Sequence, residues 1–229
     1  LQLNPAEIAF QVLAFLFGLS IHEAAHAWTA DRLGDDTARL LGRVTLNPVP
    51  HIDLFGTIIM PAIGLLSGLP VIGWAKPTPV NTLRLRHPRR DDILVTAAGP
   101  ASNLLVCSVV LLLLLAIRAF SSEGAAVVGE LARGGWSSAS PDTSSAIAPV
   151  AMLLYWFLVI NTLLCVFNLI PVPPLDGGMI VGQLLPASWQ PMWDEVGKFS
   201  FLLLIALLYL NVPAYLFWPV FNVFRSALL

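Results

Sequence analysis

Ile8-Ala-Phe-Gln-Val-Leu-Ala-Phe-Leu-Phe-Gly-Leu-Ser-Ile-His-Glu-Ala-Ala-His-Ala27 decides the fold of this chain. An almost unbroken apolar run, Ile8–Ile21, leads straight into the H-E-x-x-H motif His22-Glu23-Ala24-Ala25-His26. A helix rises about 1.5 Å per residue, so that run covers about 21 Å of a hydrocarbon core about 30 Å thick before His22 is reached. The motif is therefore expected inside a membrane helix. On a helix, His22 and His26 stand one turn apart on one face, where two imidazole nitrogens can bind one zinc ion. Glu23 lies beside them, placed to take a proton from an attacking water. An ionisable side chain at mid-membrane costs roughly 2.5–3.5 kcal/mol on translocon scales. Three such residues in five positions need a compensating reason, and a metal ion supplies one. The competing reading is a polar cluster at the membrane interface, near the helix end.

The rest of the chain agrees with a membrane setting. Of 229 residues, 57% are hydrophobic and 11% charged, against about 25% charged in soluble domains; the mean hydropathy is +0.79. The lipid bilayer is the expected surrounding, and little length remains for a soluble accessory domain. A net charge of −2 without a basic tract gives no reason to expect a nucleic-acid partner. Cys107 and Cys165 both fall in apolar segments and read as small buried hydrophobes. The N-terminal stretch lacks the basic region of a cleavable signal.

Spans are expected at about Ile8–Ala30, Ile93–Ile117 and Ile147–Leu169. A further apolar stretch, Phe199–Phe224, carries Pro213 and Pro219, which should kink or divide it. Residues 118–146, rich in Gly and Ser, read as an external loop. A short helix is expected at Met179–Leu185. Pro186–Lys198 reads as interfacial, with Trp189 and Trp193 suited to the headgroup zone.

Leu54–Trp74 is long enough to span, yet it holds Gly56, Pro61, Gly64, Gly68, Pro70 and Gly73. Arg32, Arg39 and Arg43 precede it; Lys76, Arg84, Arg86, Arg89 and Arg90 follow it. A crossing would separate these basic clusters, whereas the positive-inside rule favours one side for both. A re-entrant or extended element over residues 45–81 is therefore expected, entering and returning on the cytoplasmic side. The fold class is an all-α polytopic membrane protein, a bundle of about four to six transmembrane helices. The N-terminus then lies outside, and His22, Asn103 and Asp176 all reach the cytoplasmic half.

A catalytic zinc usually has three protein ligands and one open position. His51, His87 and Asp176 are the candidates for the third. Asp176 is preferred because it follows a Pro-rich break at a membrane-inserted position; taken alone, it reads as a helix N-cap. Asn103 and Asn168 stand at the edges of spans. Each is either a helix–helix hydrogen bond or a donor to an oxyanion or to substrate backbone.

Three motifs, His22-Glu23-Ala-Ala-His26, Gly99-Pro100-x-x-Asn103 and Asn168-x-x-Pro171-x-x-x-Leu175-Asp176-Gly177, together resemble the site-2 protease family of intramembrane zinc metalloproteases. The resemblance runs from about residue 8 to 185. Thr45–Asp53 and Gly73–Asn81 resemble a compact prokaryotic branch of it, and neither an inserted PDZ domain nor a CBS pair is seen. The resemblance implies one Zn2+ per chain held by His22, His26 and Asp176, with Glu23 as catalytic acid/base. It also implies a transmembrane helix of another protein as substrate; from the residues themselves, Asn103 is expected as a catalytic amide and Asn168 as a substrate contact. One transmembrane protease domain over residues 1–229 is expected, with its core at about 8–185 and a C-terminal helical segment at 199–224. A multi-pass protein of a prokaryotic cell membrane is expected, with its active site toward the cytoplasm. A strand edge in Gly73–Asn81 or Thr45–Asp53 is expected to hold the unwound substrate. Two alternatives come from other classes: a catalytically silent binder of transmembrane segments, and a small metal transporter with these ligands as a transit site.

Overall fold

A computed structural model of the chain describes residues 5–67, 73–134 and 146–229. The first helix, α1 (Pro5–Leu33), opens on a proline, carries Glu7 in its first turn and Arg32 in its last. These charges suit the helix dipole. Gly34, at φ 115°, ends it. After the single turn α2 (Thr37–Leu40), the chain runs irregularly to Asp53. The Asp53 carboxylate accepts the Gly56 N–H at 2.7 Å and opens a wide helical turn over Leu54–Ile59. That turn continues as α3 (Met60–Ser67).

The chain comes back to where it left. The Trp74 N–H donates to Gly56 O at 3.1 Å, and the Thr57 hydroxyl donates to Trp74 O at 2.8 Å. Gly73–Asn81 is then extended without a ladder; no strand forms among the described residues.

Next come α4 (Pro88–Phe120), α5 (Ser122–Arg133), α6 (Ile147–Asn168), α7 (Asp176–Leu184), α8 (Gln190–Lys198), α9 (Ser200–Tyr209) and α10 (Val212–Leu228). Helices α1, α4 and α6 are each long and apolar enough to cross a membrane. The pair α9 and α10 passes only as a broken span, bent by 64°. The bend lies at Asn211, at φ 56°, just before Pro213. Among the described residues the bundle thus has three such helices, or four if the bent pair α9–α10 counts as one span, at or below the lower end of the expected four to six.

Each long helix buries one stripe. In α6 it is Ala148, Ala151, Met152, Tyr155, Leu158, Thr162 and Cys165; in α4 it is Val95, Gly99, Asn103, Cys107, Val110 and Leu114. These spacings of three and four are one helical face. In α1 the stripe is Ala14, Gly18, His22, His26 and Ala30, so the motif histidines belong to the interior face. Leu105, Leu112 and Leu113 point outward and are exposed, as lipid-facing side chains should be.

Cross-contacts give the directions. His26 meets Val95, His22 meets Asn103, and Asn103 reaches back to Gly18. Numbers falling on one helix as they rise on the other make α1 and α4 antiparallel. Asn103 with Asn161, and Cys107 with Leu158, do the same for α4 and α6. Residues 34–87 therefore begin and end at one end of the bundle, the arrangement the charge pattern required.

Residues 118–146 depart from expectation. Most of their described part is α5, and Val128, Leu131 and Ala132 on it are buried in the main core. The Ser121 hydroxyl accepts the Gly124 N–H at 3.0 Å and caps its start; Gly134, at φ 85°, ends it. Two glycines weaken helix propensity, each by about 1 kcal/mol relative to Ala, but burial of the apolar face against α4 and α6 outweighs that. At Gly124 a side chain would not fit: a Cβ would lie 2.4 Å from Ile117 O.

Candidate metal centre

His22, His26 and Asp176 converge. Their ligand atoms all lie within 4.8 Å of one another. The two Nε2 atoms are 3.1 Å apart, and Asp176 Oδ2 lies 3.2 Å from that of His22 and 3.6 Å from that of His26. A tetrahedral zinc with bonds of about 2.0–2.2 Å has ligand–ligand edges of about 3.3 Å, which this triangle matches.

The hydrogen bonds behind the rings set what the triangle can bind. His22 Nδ1 is 2.7 Å from Asn103 Oδ1, and His26 Nδ1 is 2.7 Å from the Val95 carbonyl. Both partners are acceptors, so each neutral ring carries its proton on Nδ1 and turns a bare lone pair inward at Nε2. The Asn103 orientation is itself fixed: its Nδ2 donates to Asn161 Oδ1 at 2.9 Å and to Gly18 O at 3.3 Å. Asn161 in turn donates to Phe157 O at 2.8 Å. Asp176 Oδ2 is buried and has no hydrogen-bond donor among the described residues. Three lone-pair atoms facing one another without a proton between them are a site for a cation.

The third corner of the triangle arrives on α7. Its first residue is Asp176, one position past the N-cap Leu175, and its Oδ2 is turned to the two histidines. The end of α7 is tied to the start of α4: Gln183 donates to Asp92 at 2.7 Å, and Arg89 donates to the carbonyls of Gln183 and Leu185. Gly177 and Gly178 let the preceding turn press close, since a Cβ on either would fall 2.3 Å from backbone of Leu169 or Pro173.

Glu23 lies beside the triangle, half-buried, with its carboxylate against Thr78. Asn103 is fully buried behind His22, on the side away from Nε2. Both ends of its amide are occupied, so the geometry makes it a holder of the ring and leaves it no donor for an oxyanion. Asn168 does not join the cluster; its Nδ2 donates to Leu164 O in its own helix at 3.0 Å. A substrate contact by Asn168 would use its second Nδ2 hydrogen or Oδ1. His87 is exposed near Asp91, and His51 is buried with Nε2 on Thr45 O at 2.9 Å. Neither reaches the triangle.

The expected strand edge at Gly73–Asn81 is largely occupied. Pro77 and Pro79 have no N–H, and the Thr78 N–H goes to Glu23. The Lys76 N–H goes to His51 O, and the Asn81 N–H to Asp35. Arg43 takes the carbonyls of Lys76 and Pro77 and also that of Pro50. On the other flank of the motif helix, an apolar groove of about 400 Å³ is lined by Ile21, Ala25, Trp28, Val44, Leu46 and Ser102.

Residue reasoning missed Asn161, Arg43 and Thr78. Asn161 carried a signal: it is an amide inside an apolar span, as Asn103 is. Arg43 reads in the sequence only as one of the basic cluster before Leu54, and Thr78 has no signal beyond lying between two prolines.

Comparison with known proteins agrees with the site. The model of peptidase family M50 matches residues 10–210. The chain is 33% identical over 220 residues to YwhC of Bacillus subtilis (strain 168), provisionally named a zinc metalloprotease; the match covers 96% of this chain and 89% of that protein. It is 30% identical to Rip2 of Mycolicibacterium smegmatis, provisionally named likewise, over 86% of this chain and 65% of that protein. Rip2 of Mycobacterium tuberculosis (strain H37Rv) matches at 30% over the same shares. No solved structure matches significantly. The converging ligands and a match over nearly the whole length agree: this chain belongs to peptidase family M50, the site-2 protease family.

Proposed function

We propose that this chain is an intramembrane zinc metalloendopeptidase that hydrolyses peptide bonds in transmembrane segments of other proteins. The observation that carries the reading is the triangle of bare lone pairs on His22, His26 and Asp176, with Glu23 beside it, on the interior stripe of a membrane-length helix. His22, His26 and Asp176 hold the zinc. Zinc held there supplies a Lewis acid that makes water nucleophilic near neutral pH. Glu23 takes the proton of the attacking water and returns it to the leaving amine. Asn103, through His22, fixes the ring whose lone pair faces the metal. The apolar groove along Ile21, Ala25 and Trp28 suits an apolar substrate segment. A helical substrate must unwind first, because its carbonyls are engaged in the i→i−4 ladder.

The site faces the cytoplasm in this reading. Antiparallel α1 and α4 put Arg32, Arg39 and Arg43 at the same end of the bundle as Lys76, Arg84, Arg86, Arg89 and Arg90. So strong a basic excess at one end makes that end cytoplasmic by the positive-inside rule. A cell membrane of a prokaryote is the setting.

The test is metal content and cleavage together. Wild type purified in detergent should hold about one zinc per chain, as expected of a catalytic centre with three protein ligands and an open position. His22→Ala and Asp176→Ala should each lose it. Glu23→Gln should keep the zinc and lose cleavage of single-span substrates. Zinc retained with no cleavage by wild type would favour the silent binder; no zinc in a folded wild type would remove the protease reading.

A further inference from the structure

Glu23 does not face the metal triangle unsupported. The Thr78 backbone N–H donates to Glu23 Oε2 at 2.9 Å, and the Thr78 hydroxyl donates to the same oxygen at 2.7 Å. The hydroxyl also lies 3.1 Å from the Glu23 backbone carbonyl. Among the described residues Oε1 carries no hydrogen bond. One carboxylate oxygen is therefore pinned by two donors, and the other is left over.

The pinning residue is itself held. Pro77 and Pro79 fix φ on both sides of Thr78. Arg43, nearly fully buried, clamps the carbonyls of Lys76 and Pro77 immediately before it, and also Pro50. The Lys76 N–H is on His51 O at 2.9 Å, and the Asn81 N–H is on Asp35 at 2.6 Å. A segment anchored on both sides of a single Thr, aimed at a single carboxylate, is a rigid support. A surface contact of no consequence would not need a buried guanidinium to hold it.

We infer that Thr78 is a positioning residue for Glu23: it holds Oε2 so that Oε1 is the oxygen that exchanges the proton during peptide hydrolysis. This rests on reading Glu23 as the general base. Thr78 touches neither substrate nor metal; it acts through the Glu23 rotamer. The returning arm of the re-entrant element thereby completes a centre whose other parts all come from helices.

The test uses the full-length, zinc-loaded protein in liposomes with a single-span Leu/Ala peptide of about 20 residues, broken by Gly-Gly near its cytoplasmic end. Thr78→Val keeps the shape and the backbone donor but removes the hydroxyl. A hydrogen bond to a charged group is lost, so kcat should fall about tenfold with KM and zinc content unchanged. Thr78→Ser should restore kcat. A second readout needs no turnover: in Glu23→Ala, hydrogen exchange of the peptide covering residues 73–81 should speed up relative to wild type. Wild-type kcat in Thr78→Val, or a Thr78→Ser variant as slow as Thr78→Val, would overturn the inference, as would unchanged exchange in Glu23→Ala. A wild type that binds zinc but cleaves no such peptide would instead sink the protease reading, and with it the role assigned to Thr78.

Discussion

Asn103 Oδ1 lies 2.7 Å from Nδ1 of His22, across 81 positions of sequence, and its own nitrogen is held by Asn161 and Gly18. Three helices thus determine which nitrogen of one histidine keeps its proton. Losing such a partner typically costs about 10–100-fold in metal affinity. Asn103→Ala should weaken zinc binding by roughly that factor, and Asn103→Asp, which keeps an acceptor toward His22, should recover part of it. Asn161→Ala should have a smaller effect of the same sign. Competition with a chelator of known affinity measures all three.

Gly99 faces both histidines. A Cβ there would lie 2.4 Å from His26 Nε2 and 2.6 Å from His22 Cε1. Gly99→Ala should raise helix propensity by about 1 kcal/mol and yet lose zinc and activity together. Thermal unfolding and metal content, measured on one preparation, separate the two. A folded variant with a full zinc complement would contradict this packing.

Arg43 serves three carbonyls, those of Pro50, Lys76 and Pro77. A planar fork can do so; an ammonium cannot reach all three in the same directions. Arg43→Lys keeps the charge, so its cost reports geometry alone. It should destabilise the 43–81 region by about 1–3 kcal/mol, read as faster local hydrogen exchange and, through Thr78, as lower kcat.

Acid should loosen the same region from its other end. Burial resists ionisation of Asp35, but hydrogen bonds from the Thr37 hydroxyl and the backbone N–H groups of Asn81 and Thr37, with Arg84 nearby, hold its carboxyl below the usual carboxylate range. A depressed folded value means that the contribution to stability is present above the unfolded value, about 3.9, and is lost as pH falls through the folded one. Amide exchange at Asn81, corrected for its intrinsic pH dependence, should lose protection only below that range. In Asp35→Asn, where an amide can face the Asn81 N–H, protection should be weak at every pH.

Much of this was legible in the residues because membranes make polar groups conspicuous. His22, His26 and Asp176 stand out against apolar surroundings, and the balance of basic residues around 54–74 favours the return of that segment without any contact being known. What stayed hidden depended on long-range geometry. The register of α4 against α1 decides whether Asn103 meets a substrate or a histidine, and only the folded bundle sets that register. α5 was read as a loop because Gly124 and Gly129 suppress local propensity, while the burial of Val128 and Leu131 that overrides them is tertiary. Thr78 was illegible for a related reason: its importance comes from what Arg43 and Asp35 do to the chain on either side of it.

The ligand triangle joins the first long helix to α7, late in the family-matching region. Because α4 and α6 lie between them in sequence, a ribosome makes both of those helices after the histidine pair and before Asp176. Until Asp176 is made, only two of the three corners of the triangle exist. The triangle can therefore close only once the helices that enclose it have been made.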